Sequence, residues 1–177
     1  KGRQQAVTLA QKLKGTPVVK LFSSPLLRAI QTAEILSREL GLPYEIADAL
    51  REYDCGILEG KSDTASWGIY NTVLNDWMQR GQWEKRIEQG ESFLNMKARF
   101  VPFIDHLIGE YRHSPDGIIL VGHGGLYRCM LPLVLVNVDF RFVLEHSISN
   151  TGCIVAEPRP EGLVCLAWCE TAIHLSL

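Results

Sequence analysis

No uninterrupted apolar run in this 177-residue sequence reaches the roughly 18 residues that a membrane-spanning helix requires. The opening Lys1-Gly2-Arg3-Gln4-Gln5 does not have the character of a secretory signal either, so a cytoplasmic protein without a membrane partner is expected. The five cysteines, Cys55, Cys129, Cys153, Cys165 and Cys169, are scattered and include no Cys-x-x-Cys pair. That pattern indicates neither a disulfide framework nor a zinc site, and buried free thiols are the expectation. Charge of one sign is lacking as well: 18 basic against 20 acidic residues leave a net charge of −2. Such a balance gives no reason to expect nucleic acid as a partner, and an anionic substrate would need a local basic site. Repeats, linkers and low-complexity tracts are absent, and the length suits a single domain over residues 1–177. No metal-ligand constellation is visible, and no cofactor is expected.

What is present alternates between helical and strand-like segments. Ala6, Leu9, Ala10 and Leu13 recur at helical spacing until Gly15 and Pro17, and Val18-Val19-Lys20-Leu21-Phe22 follows as a short apolar run typical of a buried strand. Ser24 can cap the next helix with Pro25 at its first position, and Ala29, Ala33, Ile35 and Leu36 carry it to Gly41 and Pro43. Residues 44–46 form a weak strand, 50–60 a loop, and the tryptophan-rich stretch 63–83 an irregular helix. Phe93, Met96, Phe100, Phe103, Ile104, Leu107, Ile108 and Tyr111 define an amphipathic helix over 92–111, with Pro102 inside it. Residues 117–121 read as a strand, 126–136 as a helix interrupted near Pro132, and 151–157 with 163–169 as a closing hairpin. Helices alternating with strands predict an α/β protein, a three-layer α/β/α sandwich with a largely parallel central sheet. Sites of such sheets lie beyond the carboxyl ends of the strands.

Two strand-to-helix junctions carry the chemistry. At the first, Ser24-Pro25-Leu26-Leu27-Arg28, helix amides and the planar fork of Arg28 suit phosphate oxygens; pairing of Arg28 with Glu34 is the structural alternative. At the second, Gly122-His123-Gly124-Gly125, small neighbours let backbone amides approach a ligand beside an imidazole able to exchange protons. A simple tight turn would explain the glycines equally well, but the position after an apolar strand favours function. Glu52 sits on a loop from which a carboxyl could act as a general acid, with Arg51, Asp54 and Glu59 competing for that role. Trp67, Tyr70, Trp77 and Trp83 could form an apolar lid over a substrate, and ordinary packing is the expectation for at least two of them.

Taken together, Ser24-Pro25-Leu26-x-Arg28-Ala29-x-Gln31-Thr32-Ala33, Leu50-x-Glu52-x-x-x-Gly56-x-x-Glu59-Gly60, Gly90-Glu91-Ser92 and Gly122-His123-Gly124-Gly125 resemble, in order and spacing, the histidine phosphatase superfamily, also called phosphoglycerate-mutase-like. The resemblance implies a histidine that takes the phosphoryl group covalently, with no metal and no cofactor. It assigns Arg28 to phosphate binding, Glu52 to protonation of the leaving oxygen and His123 to the supporting histidine. Gly124 would offer its backbone amide to the phosphate, Ser24 would stand at the pocket edge, and Glu91 and Asn150 are weaker correspondences.

The family's Arg-His-Gly tripeptide, which carries the nucleophile after the first strand, does not occur in this sequence. His106, His113, His146 and His174 lie in other contexts. The start resembles the family's first helix, so an N-terminally incomplete domain is expected, with the first strand and its histidine upstream of Lys1. The resemblance implies hydrolysis of a small phosphorylated metabolite, because residues 61–89 contain Arg80 and Arg86 but no proline run of the mutase kind. Phosphoglycerate-mutase-type transfer and a non-catalytic phosphate-binding protein are the alternatives. The partner expected is the small phosphorylated substrate, with homodimerisation open.

Overall fold

Alternation of side chains along two short strands sets the layers. In the computed structural model, which describes residues 1–169 and 171–173, strand β1 (Val18–Ser23) lies between β2 (Tyr44–Ile46) and β3 (Gly117–Val121), all parallel. Leu21 packs with Ala10 and Leu36, from helices α1 (Gly2–Leu13) and α2 (Leu27–Leu40), and Ile119 and Val121 join that side. Phe22, Ile118 and Leu120 point the other way, into the main core built on Phe93, Met96, Phe100 and Ile104 of helix α4 (Phe93–Tyr111). The period-two alternation thus places helices on both faces of the parallel sheet, as the α/β reading expects.

Helix α3 (Thr64–Met78) is regular, where the sequence predicts an irregular helix over 63–83. Asp63 caps it by accepting from the Ser66 amide at 3.0 Å, and the chain turns away at Gly81, whose φ of 65° ends helical continuation. Ser92 caps α4 in a capping box with Asn95. Helix α5 (Gly124–Met130) starts immediately after His123, two residues before the predicted start, and gives way to a 3-10 turn at Leu131–Leu133 where Pro132 falls. Helix α6 (Phe140–Glu145), which the sequence pattern did not suggest, is capped by Asp139.

The closing hairpin pairs β4 (Ile154–Arg159) with β5 (Gly162–Trp168), and β6 (Thr171–Ala172) adds to β5, all antiparallel. Among the described residues the strands therefore form two three-stranded sheets, one parallel and one antiparallel, because a hairpin can only return antiparallel. The second sheet is tied to the rest by the Val136 amide on the Leu163 carbonyl at 2.9 Å and by Asn137, whose side chain brackets the Cys165 backbone. Between β3 and the chain at 148–158 runs a groove of about 1170 Å³ whose walls include Ile118, Leu120, Leu135, Ile154 and Ala156. No helix among the described residues is long and apolar enough to cross a membrane. His174 lies outside the described residues.

The capping box makes a direct prediction for α4. Ser92→Ala removes the acceptor for the Asn95 amide and should lower the free energy of urea unfolding by about 1 kcal/mol. Ser92→Asp, which keeps an acceptor at that position, should retain most of it.

Candidate active site

Three parallel strands end level: Ser23 stands in register with Ile46 on one side and Val121 on the other. The ladder runs one step further through the Ser24 amide on the Val121 carbonyl at 2.9 Å. Ser24 is thereby held extended and buried at the sheet's carboxyl edge instead of capping α2. The helix begins later, at Leu27, with Leu26 as its cap residue and Pro25 outside it, which corrects the sequence expectation. The Ser24 hydroxyl oxygen accepts from the Leu26 amide at 3.2 Å and lies 2.7 Å from His123 Nε2.

His123 stands at the N-cap position of α5, its side chain turned to Arg28 and Ser24, and is only 7% exposed. Arg28, in the first turn of α2, donates Nε–H to His123 Nδ1 at 3.1 Å. Nδ1 is therefore the accepting nitrogen, and Nε2 carries the proton that points to Ser24. Burial first, then the charges of Arg28 and Arg99, pull the imidazole down to about 4, so the ring is neutral at physiological pH. Arg28 has no ion-pair partner among the described residues, and the pairing with Glu34 does not form. Its side chain stays exposed at the site.

Glu52 reaches the same place from the loop after β2. Its carboxyl accepts from the amides of Leu126 at 2.6 Å, Gly125 at 3.1 Å and Tyr53 at 3.3 Å. Burial raises its pKa and outweighs the opposing amide bonds and the Arg28 charge. The three glycines around His123 prove to have separate reasons. A Cβ on Gly125 would sit 2.9 Å from both Glu52 carboxyl oxygens, and one on Gly122 would meet the Tyr127 ring at 2.6 Å. One on Gly124 would meet nothing, so Gly124 simply lies exposed at the start of α5.

A network that sequence reasoning only partly found anchors the Glu52 loop. Glu91 sits between two arginines: Arg99 meets it through Nε and Nη2, both at 3.2 Å, and Arg51 through both terminal nitrogens. Glu91 also accepts from the Asp54 amide at 3.0 Å, and Arg99 donates to the Ala49 carbonyl at 2.9 Å. The loop passes so close to residues 88–90 that a Cβ on Gly56 would lie 2.0 Å from the Glu88 carbonyl oxygen. Gly56 and Gly90 are thus demanded by close backbone approach. Glu91 braces the loop, whereas the sequence offered it as a weak site correspondence. Arg99 was missed, and its only signal was an unpaired acid at Glu91 near the start of the same helix. Asn150 lines the larger groove.

A cavity of about 500 Å³ opens between Arg28 and Glu52 and is completed by Leu26, Arg51, Asp54, Glu59 and Tyr70, among others. Of the four aromatic residues weighed as a lid, only Tyr70 lines it. Trp77 is buried in the core and donates to the Lys85 carbonyl, Trp83 stacks on Phe93, and Trp67 stands 52% exposed. No cluster of three potential metal ligands occurs among the described residues. Arg28, Glu52 and His123 all line the larger groove, which brings together one exposed guanidinium, one neutral imidazole and one carboxyl whose pKa burial raises.

The imidazole's environment is directly measurable. The His123 ring signals in an NMR titration should show a midpoint near 4 rather than 6.5, and Arg28→Ala should move that midpoint upward by removing a nearby cation. The unfolded ring takes its proton at the ordinary value, so stability contributed by this residue should fall as pH drops from 6.5 toward 4. A midpoint unmoved by Arg28→Ala would show that the arginine's charge does not reach the ring.

Known proteins provide the comparison. Phosphoglycerate mutase GpmB of Proteus mirabilis, itself described as probable in function, is 31% identical over 137 residues, which are 76% of this chain and 61% of the relative. The GpmB of Escherichia fergusonii is 29% identical over 140 residues. The chain thus spans 61% of the length of these relatives. Among solved structures, a mycobacterial glucosyl-3-phosphoglycerate phosphatase bound to inorganic phosphate superposes with a TM-score of 0.72 at 23% identity, over 96% of this chain and 85% of that one. The α-ribazole phosphatase of Shigella flexneri gives 0.73 at 19% identity, over 99% and 85%. These likenesses show a shared fold. The description of the histidine phosphatase superfamily, branch 1, matches residues 1–171, and the chain belongs to that family.

Proposed function

We propose that this chain supplies the phosphate-binding and proton-donating part of a phosphomonoester hydrolase. The enzyme acts on a small phosphorylated metabolite through a phosphohistidine, and the nucleophilic histidine is carried by a segment preceding Lys1. The observation that carries the reading is the meeting of Arg28, Glu52 and His123 at level strand ends, held by direct hydrogen bonds. The groove beside β3 supports the placement of the nucleophile. Its lining runs from the apolar edge of β3 to Arg28, Glu52 and His123, so an extended segment seated there would end beside them. Within the chain, His106, His113 and His146 are exposed and away from that opening.

Each residue then has a physical role. The Arg28 guanidinium holds phosphoryl oxygens through its terminal nitrogens, and His123, accepting from Arg28 Nε, orients that guanidinium toward them. The Gly124 amide, at the positive end of α5, faces the same anion, and Ser24 fixes the imidazole from the pocket edge. As the nucleophilic nitrogen bonds to phosphorus, the ester P–O bond breaks and the leaving oxygen takes the proton from Glu52. Water then attacks the phosphohistidine, Glu52 accepts the water's proton, and inorganic phosphate leaves.

Similarity to GpmB favours a second reading, phosphoryl transfer between phosphoglycerates. Against it, Arg80 is engaged by the buried Asp76, and Arg86 does not line the cavity.

The full-length protein should hydrolyse p-nitrophenyl phosphate without added divalent metal, and quenching during turnover in alkaline denaturant, where the N–P bond survives, should leave a phosphohistidine on a peptide preceding Lys1. A strict metal requirement, or phosphate on no histidine, overturns the mechanism. Arg28→Ala should lower kcat/KM by about 10² to 10³. Glu52→Gln should slow hydrolysis of an alkyl phosphate by about 10² or more, and that of p-nitrophenyl phosphate far less, since p-nitrophenolate departs without a proton. Gly125→Ala should produce a similar split by displacing the Glu52 carboxyl, with the fold retained by circular dichroism.

A further inference from the structure

Glu52 protonates the leaving oxygen in the hydrolase reading, so the walls of the cavity beyond Glu52 face the leaving group. Those walls carry charge of known sign. Among the described residues Arg51 is the only cation there besides Arg28, and all its guanidinium nitrogens are engaged, Nε by Asp48 and the terminal two by Glu91. The remaining charges are the exposed carboxylates of Asp54 and Glu59. Each is fixed by one backbone bond: Asp54 Oδ1 accepts from the Gly56 amide at 2.7 Å and Glu59 Oε1 from the Cys55 amide at 2.8 Å. Asp54 Oδ2 accepts from no donor among the described residues, and the Glu59 carboxylate, which also meets the Cys55 thiol, stands exposed to a ligand. The Cys55 thiol between them registers the same negative field. It is pushed up to about 12, by burial first and then by Glu59, Glu52 and Asp54.

We propose that this cavity selects a phosphomonoester whose leaving alcohol is uncharged and carries further hydroxyl groups, and that Asp54 and Glu59 turn away leaving groups that bear a carboxylate. The inference rests on the hydrolase reading and specifies its substrate class. Hydroxyl donors of a sugar-like or polyol alcohol can bond to the two exposed carboxylates. A substrate carboxylate placed there meets like charge with no unengaged cation to offset it.

A matched pair of substrates isolates the effect. Glycerol 3-phosphate and 3-phosphoglycerate differ only in a hydroxymethyl group against a carboxylate, and p-nitrophenyl phosphate reports whether the chemistry runs at all. With the full-length protein, kcat/KM for glycerol 3-phosphate should exceed that for 3-phosphoglycerate by about tenfold or more. The double variant Asp54→Asn with Glu59→Gln keeps a carbonyl acceptor for each loop amide and removes both charges. In it the ratio should narrow to about threefold or less, mainly through a gain on 3-phosphoglycerate. Raising ionic strength should narrow the wild-type ratio and leave the variant's nearly fixed. Turnover of p-nitrophenyl phosphate with a ratio near one, or a ratio unmoved in the variant, overturns the selectivity and leaves the hydrolase reading standing. No turnover of p-nitrophenyl phosphate removes both.

Discussion

The hydrogen bond from Arg28 to His123 is the interaction on which the site depends. It joins the first turn of α2 to the residue at the N-cap position of α5, two elements 95 positions apart in the chain. By occupying Nδ1 it fixes the proton on Nε2, and Nε2 then reaches the Ser24 hydroxyl at 2.7 Å. Ser24 in turn is held by a ladder bond to Val121, the residue just before Gly122. The circuit closes on itself, so each member is oriented by the others. It also sets the electrostatics. A cation on one nitrogen and burial around the ring keep the imidazole neutral, which leaves the Arg28 guanidinium as a positive charge without an ion-pair partner among the described residues. A phosphate dianion arriving there would offset Arg28 and make imidazolium easier to form, coupling anion binding to proton uptake.

Much of the frame was legible because it rests on local chemistry. The apolar run at Val18–Phe22, the stripe on α4 and the stop at Gly41 each follow from residue type and spacing. Helix α6 was not legible, since six residues hold too few turns to show a period, and only the Asp139 cap marks it. The start of α2 was misread because Ser24 satisfies two demands. As a serine before a proline it has the composition of a cap, yet its backbone continues the ladder and its hydroxyl is drawn to His123. A contact made across 99 positions leaves no mark on local sequence.

The glycines illustrate the same limit within the site. Gly122, Gly124 and Gly125 suggested one common purpose, access of backbone amides to a ligand. Instead Gly122 makes room for Tyr127, Gly125 makes room for Glu52, and only Gly124 faces open space. The motif is conditioned by side chains that arrive from elsewhere in the chain. Glu91 follows the same logic. The family motif suggested a weak correspondence to the site, but two arginines and the Asp54 amide converge on Glu91 and make it the brace of the Glu52 loop.

That brace matters because Glu52 is held under opposed influences. Amides at the start of α5 favour its carboxylate, and burial favours its acid form, with burial the larger. An acid balanced in this way can release a proton and recover it without leaving its seat, provided the seat does not move. The seat is made from both sides: Gly125 leaves the space on α5, and the Arg51–Glu91–Arg99 network fixes the loop that carries the carboxyl. Loosening either side would admit water, weaken the desolvation that raises the pKa and shift the balance toward carboxylate. The acid's protonation is therefore a property of loop anchorage as much as of the carboxyl itself.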